Sequence, residues 1–309
     1  MISVLFSTYN GEATLPRMLK ALSEVAHPPE GLEIIAVDNA STDRTFEILR
    51  GHQNFLPMEI LQHNVRGKNH ALNMAVQLAK GRFIVFTDDD VLPEPFWLTQ
   101  LIDFADRHPY ADIIGGRIEP CWESEKPAWV DSIPHGVAFA VSPTHLSSGE
   151  IHPGLIWGPN MMVRRTLFDQ GHRFDGAVGP GPGQYCMGSE TEFNIRMHSR
   201  GSKTLFCQDA IVYHIIRKHQ IRRSWVLKRA FRFGKGIAKQ DRISSSNHKA
   251  VTNFSLPFPK WYLRRILKNT IRGINSTLPL HSAPAMKYWW DVAYDIGYIT
   301  QALRSVRAQ

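Results

Sequence analysis

The chain has 309 residues, 43% hydrophobic and 21% charged, which is the composition of a globular rather than a disordered protein. It is long enough for one large domain or two ordinary ones of roughly 100–200 residues, and no run reaches the ~18 apolar residues of a membrane span. Three scattered cysteines, Cys121, Cys186 and Cys207, lack C-x-x-C spacing, which argues against a disulfide framework or a zinc site and fits a reducing compartment.

The net charge of +8 is unevenly spread. Residues 1–219 carry 19 Lys/Arg against 25 Asp/Glu, a balance of −6, while residues 220–309 carry 17 against 3, a balance of +14. An acidic body with a basic C-terminal third predicts an anionic partner surface for that third: phospholipid, lipid diphosphate or nucleic acid.

In chain order, Ile2–Phe6 reads as a buried first strand rather than a signal peptide. Thr14–Val25 reads as a helix with Leu15, Met18, Leu19 and Leu22 on one face. Leu32–Val37 is the second strand, and Ser41 or Thr42 is placed to cap the helix after it. Met58–Leu61 is a third strand, Asn69–Ala79 a helix and Phe83–Thr87 a fourth strand. This alternation implies a parallel sheet covered by helices on both faces, with ligands at the carboxyl ends of its strands. Residues 118–160 read as irregular, and the Gly-rich Asp175–Gly188 as a mobile loop or lid. Thr191–Ser199 is helical and Ala210–His214 a short strand. The basic third holds three amphipathic helices, Ile221–Lys239, Trp261–Ile274 and Ala285–Leu303, with the polar stretch Ser244–Lys260 between the first two.

Three polar segments directly follow apolar strands, namely Ser7–Glu12, Asp38–Asp43 and Asp88–Asp90. They are expected to meet in one cleft. In the triple aspartate, Asp88 and Asp90 can face one way and Asp89 the other. Paired carboxylates repel unless a cation neutralises them, and hard oxygen ligands suit Mg2+ or Mn2+ held together with substrate phosphates. The plainer alternative is a solvated acidic turn.

These pieces together resemble family 2 glycosyltransferases of the GT-A fold. The matching segments are Val4–Asn10, Val37–Asp43, Asn64–Asn73 and Thr87–Pro93, in the family's order and spacing, with the likeness continuing to about Trp225. The resemblance implies an α/β fold of the GT-A type: a Rossmann-like mixed, mostly parallel sheet flanked by helices, here with a basic helical C-terminal extension. It divides the chain into a catalytic domain, 1–219, whose halves 1–117 and 118–219 take donor and acceptor, and the helical region 220–309. It also implies that Thr8, Tyr9, Asn10, Glu12, Asp38, Lys68, Asp88 and Asp89 line a nucleotide-sugar pocket and that Asp90 ligates Mn2+ or Mg2+, with His214 reaching the metal or diphosphate.

Gly188–Phe193 looks like the family's catalytic-base segment, which assigns the base to Glu190 and leaves Glu192 as the rival. A carboxylate at a helix start also simply complements the helix dipole. Asn160 is expected near the donor sugar or acceptor. Arg222–Trp225 only loosely resembles the motif of processive members, so a single-addition enzyme is expected, with Trp225 near the acceptor.

The implied reaction is inverting transfer from a UDP-sugar to a carbohydrate or lipid-linked acceptor, in cell-surface polysaccharide or glycolipid synthesis. The expected setting is cytoplasmic, peripheral on the inner membrane face, with no nucleic-acid partner. The rivals are a sugar nucleotidyltransferase, whose Gly-rich N-terminal phosphate loop is missing here, and an inactive nucleotide- or membrane-binding homologue.

Overall fold

The computed structural model describes residues 1–181, 185–245, 257–277 and 284–307. Parts of the expected loop Asp175–Gly188 and of the stretch Ser244–Lys260 therefore lie outside the described residues. The chain divides into two compact units: Met1–Cys121, Ala140–Gly183 and Ser189–Ile215 form one, and Trp122–Phe139, Gln184–Gly188 and Ile216–Gln309 the other.

In chain order the elements are β1 (Ile2–Thr8), α1 (Leu15–Ser23), β2 (Leu32–Asp38), α2 (Thr45–His52), β3 (Met58–Gln62), α3 (Lys68–Leu78), β4 (Phe83–Phe86), β5 (Val91–Pro93), α4 (Trp97–Arg107), β6 (Ile113–Trp122), α5 (His135–Phe139), β7 (Gly149–Glu150), β8 (Met161–Arg164), α6 (Arg165–Asp169), α7 (Ser189–His198), β9 (Thr204–Ile216), α8 (Arg223–Ser245), α9 (Trp261–Thr277) and α10 (Pro284–Arg307). The described strands form one sheet in the order β3-β2-β1-β4-β8-β6-β9-β5, with β7 on β9. The β1–β4 group is parallel, whereas β8 runs antiparallel to both β4 and β6, and β5 and β7 antiparallel to β9.

The period of two sorts each strand's side chains between two cores. Val4 and Phe6, Ile34 and Ala36, Phe83 and Val85 join one core with Leu15, Leu19 and Leu22 of α1 and Trp97 and Leu101 of α4. Their alternates Leu5, Ile35, Val37, Ile84 and Phe86 join the other with Ala71, Leu72 and Ala75 of α3 and Phe193 and Met197 of α7. Each fully buried large apolar side chain contributes about 1.5–3 kcal/mol. Because both faces are covered, the strands read as unbroken apolar runs.

Three expectations change. Neither Ser41 nor Thr42 caps α2, which starts at Thr45. Asp43 instead accepts from the Thr45 backbone N–H and hydroxyl, while the Ser41 hydroxyl accepts from the Asn10 backbone N–H at 3.0 Å. Residues 118–122 of the span 118–160, expected to be irregular, belong instead to the end of β6. Its Gly115–Gly116 pair is required by packing: a Cβ on Gly116 would stand 2.3 Å from the Asn160 amide nitrogen. The start of the Gly-rich loop is tied down. Asn69 Nδ2 donates to the Asp175 and Val178 carbonyls at 2.7 and 3.0 Å, Asn73 exchanges two bonds with Phe174, and the Lys68 N–H donates to the Pro180 carbonyl.

In the second unit α8 and α10 cross at close backbone approach. A Cβ on Gly234 would stand 2.0 Å from the Tyr294 carbonyl oxygen, and one on Gly297 2.0 Å from that of Phe231. Residues 220–309 contain three acids, and each is engaged inside the unit. Asp241 accepts from Tyr298 Oη at 2.9 Å, Asp291 from Lys287 and Asn269, and the fully buried Asp295 pairs with Arg265. Several α8 cations also turn inward: Lys235 is buried, Arg229 lies over the Trp225 ring and Arg232 over Tyr185. Arg265 and these α8 residues are therefore not the free surface cations that their helical positions suggested.

Candidate active site

Parallel register sets β1 and β2 side by side with Thr8 opposite Asp38, and β4 adjoins β1 with Phe86 opposite Leu5. The loops leaving these strands are the three polar segments singled out in the sequence, and the fold joins them directly. Asn10, in a left-handed conformation (φ +52°) that asparagine tolerates, accepts at Oδ1 from the Thr42 N–H at 2.8 Å. Thr8 Oγ1 donates a short hydrogen bond to Asp89 Oδ2. Gly11 leaves room for that bond, since a Cβ there would stand 2.3 Å from Thr8 Oγ1. Asp38 is buried and receives the Ser41 N–H at 3.1 Å. The Tyr9 ring is half-exposed beneath the Arg66 guanidinium, 4.0 Å from its centroid.

The centre of the site is Lys68, in the first turn of α3. Its Nζ donates to Asp88 Oδ1 at 2.7 Å and to Glu190 Oε1 at 2.9 Å. A cation at a helix N-terminus opposes the macrodipole, so this lysine is held there by its two carboxylates. Burial alone would lower its pKa, but Asp88 and Glu190 more than reverse that and hold it above the ordinary lysine value. Burial pushes the Asp88 carboxyl up, Glu190 and Asp90 push the same way, and Lys68 opposes them. Glu190 reaches this position from the first turn of α7 because Gly158 has no side chain: a Cβ on Gly158 would stand 2.3 Å from Glu190 Oε1.

Asp90 lies beside His214, with Oδ1 to Nε2 at 3.3 Å. Antiparallel pairing of β5 and β9 puts His214 opposite Val91, and the Ile215 N–H donates to the Asp90 carbonyl at 2.8 Å. Among the described residues no group of three or more His, Cys, Asp and Glu side chains gathers into a cation cage. One carboxylate and one imidazole nevertheless fit Mn2+ or Mg2+, because these ions take few protein ligands and complete their shell with substrate phosphates and water.

The remaining expected residues are held by protein partners. Glu12 Oε1 accepts from both Nε and Nη2 of Arg44, at 2.8 and 2.5 Å, and that pairing lowers the pKa of Glu12. Glu192 is paired with Arg196 at 2.6 Å rather than with Lys68. Asn160 is 0% exposed. Its oxygen accepts from Trp97 Nε1 at 2.8 Å, and its nitrogen donates to the Arg117 and Ala210 carbonyls at 2.9 and 2.8 Å. Its amide thus ties β6 and β9 to α4. Trp225 belongs to the second unit, where it stacks on Phe139 with ring centroids 6.0 Å apart. Reading the sequence missed Arg66, the Lys68–Glu190 bond and the space at Gly158. A Gly-Lys pair opening a helix was the available signal for the first two.

The profile described as Glycosyl transferase family 2 matches residues 3–171. The glycosyltransferase AglE of Haloferax volcanii is 25% identical over 291 residues, covering 90% of this chain and 88% of its own. The succinoglycan biosynthesis protein ExoM of Rhizobium meliloti is 26% identical, covering 71% and 69%. Among solved structures, the mannosyltransferase PcManGT of Pyrobaculum calidifontis, in complex with GDP-Man and Mn2+, superposes with TM-score 0.64 at 18% identity, covering 98% of this chain and 87% of that one. TarS 1–349 of Staphylococcus aureus in complex with UDP superposes with TM-score 0.55 at 18% identity, covering 100% and 92%. The sheet order, the joined strand-end loops and these matches agree: the chain belongs to glycosyl transferase family 2 and has the GT-A fold.

Proposed function

We propose that the protein transfers a sugar from a nucleoside diphosphate sugar, UDP-linked in the first instance, to an acceptor hydroxyl with inversion at the anomeric carbon. The setting we propose is the assembly of a cell-surface polysaccharide or glycolipid on the cytoplasmic side, peripheral to the membrane. Among the described residues no helix is long and apolar enough to cross a membrane. The names of AglE and ExoM support the glycan class, and the UDP and GDP-Man held by the two solved relatives support the donor class. We take residues 1–219 as the catalytic part and 220–309 as a helical extension.

The observation that carries this reading is Lys68 bridging Asp88 and Glu190 beside the Asp90–His214 pair. Glu190 takes the proton of the acceptor hydroxyl as its oxygen bonds to the anomeric carbon, and the bond from that carbon to the diphosphate breaks. Lys68 keeps this carboxylate in place. Thr8, Tyr9, Asn10 and Asp38 line the nucleoside side of the cleft, with Asp88 and Asp89 toward ribose and sugar. Asp90 and His214 are the residues that would hold Mn2+ or Mg2+, which when bound offsets the charge gathering on the departing diphosphate.

The test is a melting-temperature screen of UDP-, GDP- and dTDP-sugars with Mn2+ or chelator, since a ligand at 100 times its Kd stabilises the folded state by about 2.7 kcal/mol. At least one donor should raise the melting temperature with Mn2+, and the rise should vanish with chelator and in Asp90→Ala. No response to any donor, or the same response with chelator, contradicts the reading.

A further inference from the structure

We infer that the outward face of α9 is a docking surface for an anionic phospholipid bilayer. This inference does not rest on the transferase reading.

A helix packed on a soluble protein normally turns its apolar stripe inward. In α9 the polarity is reversed. The face toward α10 is polar and aromatic: Tyr262 is buried and stacked on Tyr298 at 4.4 Å, Arg265 pairs with Asp295, Asn269 donates to Asp291, and Gly273 lies under the Trp289 ring. Leu263, Leu267 and Ile271, one helical turn apart, are left 49%, 64% and 52% exposed, and Trp261 is 48% exposed at the helix start. Leucine and isoleucine recurring every fourth residue form one continuous stripe about 12 Å long at 1.5 Å per residue.

The residue following each of Leu263, Leu267 and Ile271 is an exposed cation, Arg264, Lys268 and Arg272, of which Arg272 also lies over the Tyr288 ring, and Lys260 extends that row by one turn. No acid of the C-terminal third is available to offset them, because Asp241, Asp291 and Asp295 are engaged within the unit. An apolar stripe beside a row of uncompensated cations matches a helix lying in the plane of an anionic interface, with the apolar residues entering the acyl boundary and the cations at the headgroups. A second copy of the chain fits this face poorly, since it would bring like-charged rows together. The neighbouring basic helix α8 is not the docking element, because its Lys235 is buried and its Arg229 and Arg232 lie over rings of the same unit.

The experiment is co-sedimentation of the full chain with vesicles of phosphatidylcholine alone or mixed with phosphatidylglycerol. The protein should pellet with the mixed vesicles, stay in solution with the neutral ones, and be released by added salt. One cation near an anionic surface is worth about fivefold in partitioning, so Arg264→Glu/Lys268→Glu should weaken binding by at least about 25-fold. Leu263→Ser/Leu267→Ser should weaken it by about tenfold or more. Both variants change exposed positions and should keep the wild-type melting temperature. If the apolar pair lowers it, Leu267→Ser alone, at the most exposed position, gives the same reading. No binding, equal binding to both vesicle types, or wild-type binding by the variants would overturn the inference. So would a dimer in solution that Leu263→Ser/Leu267→Ser dissociates, because a second copy would then cover the face.

Discussion

Gly158 and Glu190 occupy complementary space: a Cβ on Gly158 would stand 2.3 Å from Glu190 Oε1 and 2.7 Å from its Cδ. The carboxylate that bonds Lys68 thus lies directly against the backbone preceding β8. An alanine at this position has to push the Glu190 side chain away from Lys68 or shift the chain itself. We expect Gly158→Ala to lower kcat on the order of 10²-fold, the scale on which a misplaced catalytic group acts, while donor binding changes little. Gly51→Ala, where an added Cβ meets nothing within 4 Å, is the control and should be neutral. Equal kinetics for the two variants would remove Gly158 from the positioning of Glu190.

Lys68 carries a second consequence. Its side chain is 17% exposed and those of its partners Asp88 and Glu190 are 20% and 16% exposed. Removing the cation leaves two carboxylates facing each other in a poorly solvated place, and breaking a buried pair from one side costs about 3–5 kcal/mol. Lys68→Met should therefore lower stability by that order in urea unfolding. Asp131→Asn, which only loosens the exposed pair with Lys126, should cost about 1 kcal/mol or less. Equal losses for both would mean that the Lys68 cluster is solvated.

Far from this site, Arg82 bonds both Glu30, at 2.8 and 2.9 Å, and Asp106, at 2.6 and 3.0 Å. The arginine holds both carboxyls below their ordinary values. A carboxyl lowered in the folded state contributes stability that is full above its unfolded value and is lost as pH falls through the folded value. The groups are 23–51% exposed, so screening limits each pair to roughly 0.2–1 kcal/mol. Arg82→Gln loses both pairs, roughly 0.4–2 kcal/mol together, and should melt about 1–8 °C below wild type at pH 7, at roughly 2–4 °C per kcal/mol, and the gap should close toward pH 3. A gap independent of pH would assign the effect to Arg82 packing on the Phe83 ring.

Much of the first unit was legible in the sequence. β1, β2 and β4 are buried on both faces along most of their length, so Ile2–Phe6, Leu32–Val37 and Phe83–Thr87 stood out as apolar runs with polar residues at their ends. β6 was not legible, because Gly115–Gly116 and Pro120 interrupt its pattern, and those glycines serve contacts with Ile156 and Asn160 that only the fold creates. The resemblance named Lys68 and Glu190 but not the bond between residues 122 positions apart. The family resemblance put Asn160 near the donor sugar or acceptor, and its amide is spent on Trp97, Arg117 and Ala210. In α9 the helical period was visible, but the inward direction was not. Arg265 counted as a surface cation until its pairing with Asp295 was seen.

The most direct test of the proposed chemistry is release of nucleoside diphosphate from the donor found in the melting screen, measured with Mn2+ for wild type, Glu190→Gln and Glu192→Gln. Glutamine keeps the size of the side chain and removes the base. Wild type and Glu192→Gln should turn the donor over at similar rates, while Glu190→Gln should lose on the order of 10²–10⁴-fold in kcat and still show the donor-dependent rise in melting temperature. Turnover by Glu190→Gln at the wild-type rate, or that loss appearing in Glu192→Gln instead, would contradict the assignment of Glu190 as the base.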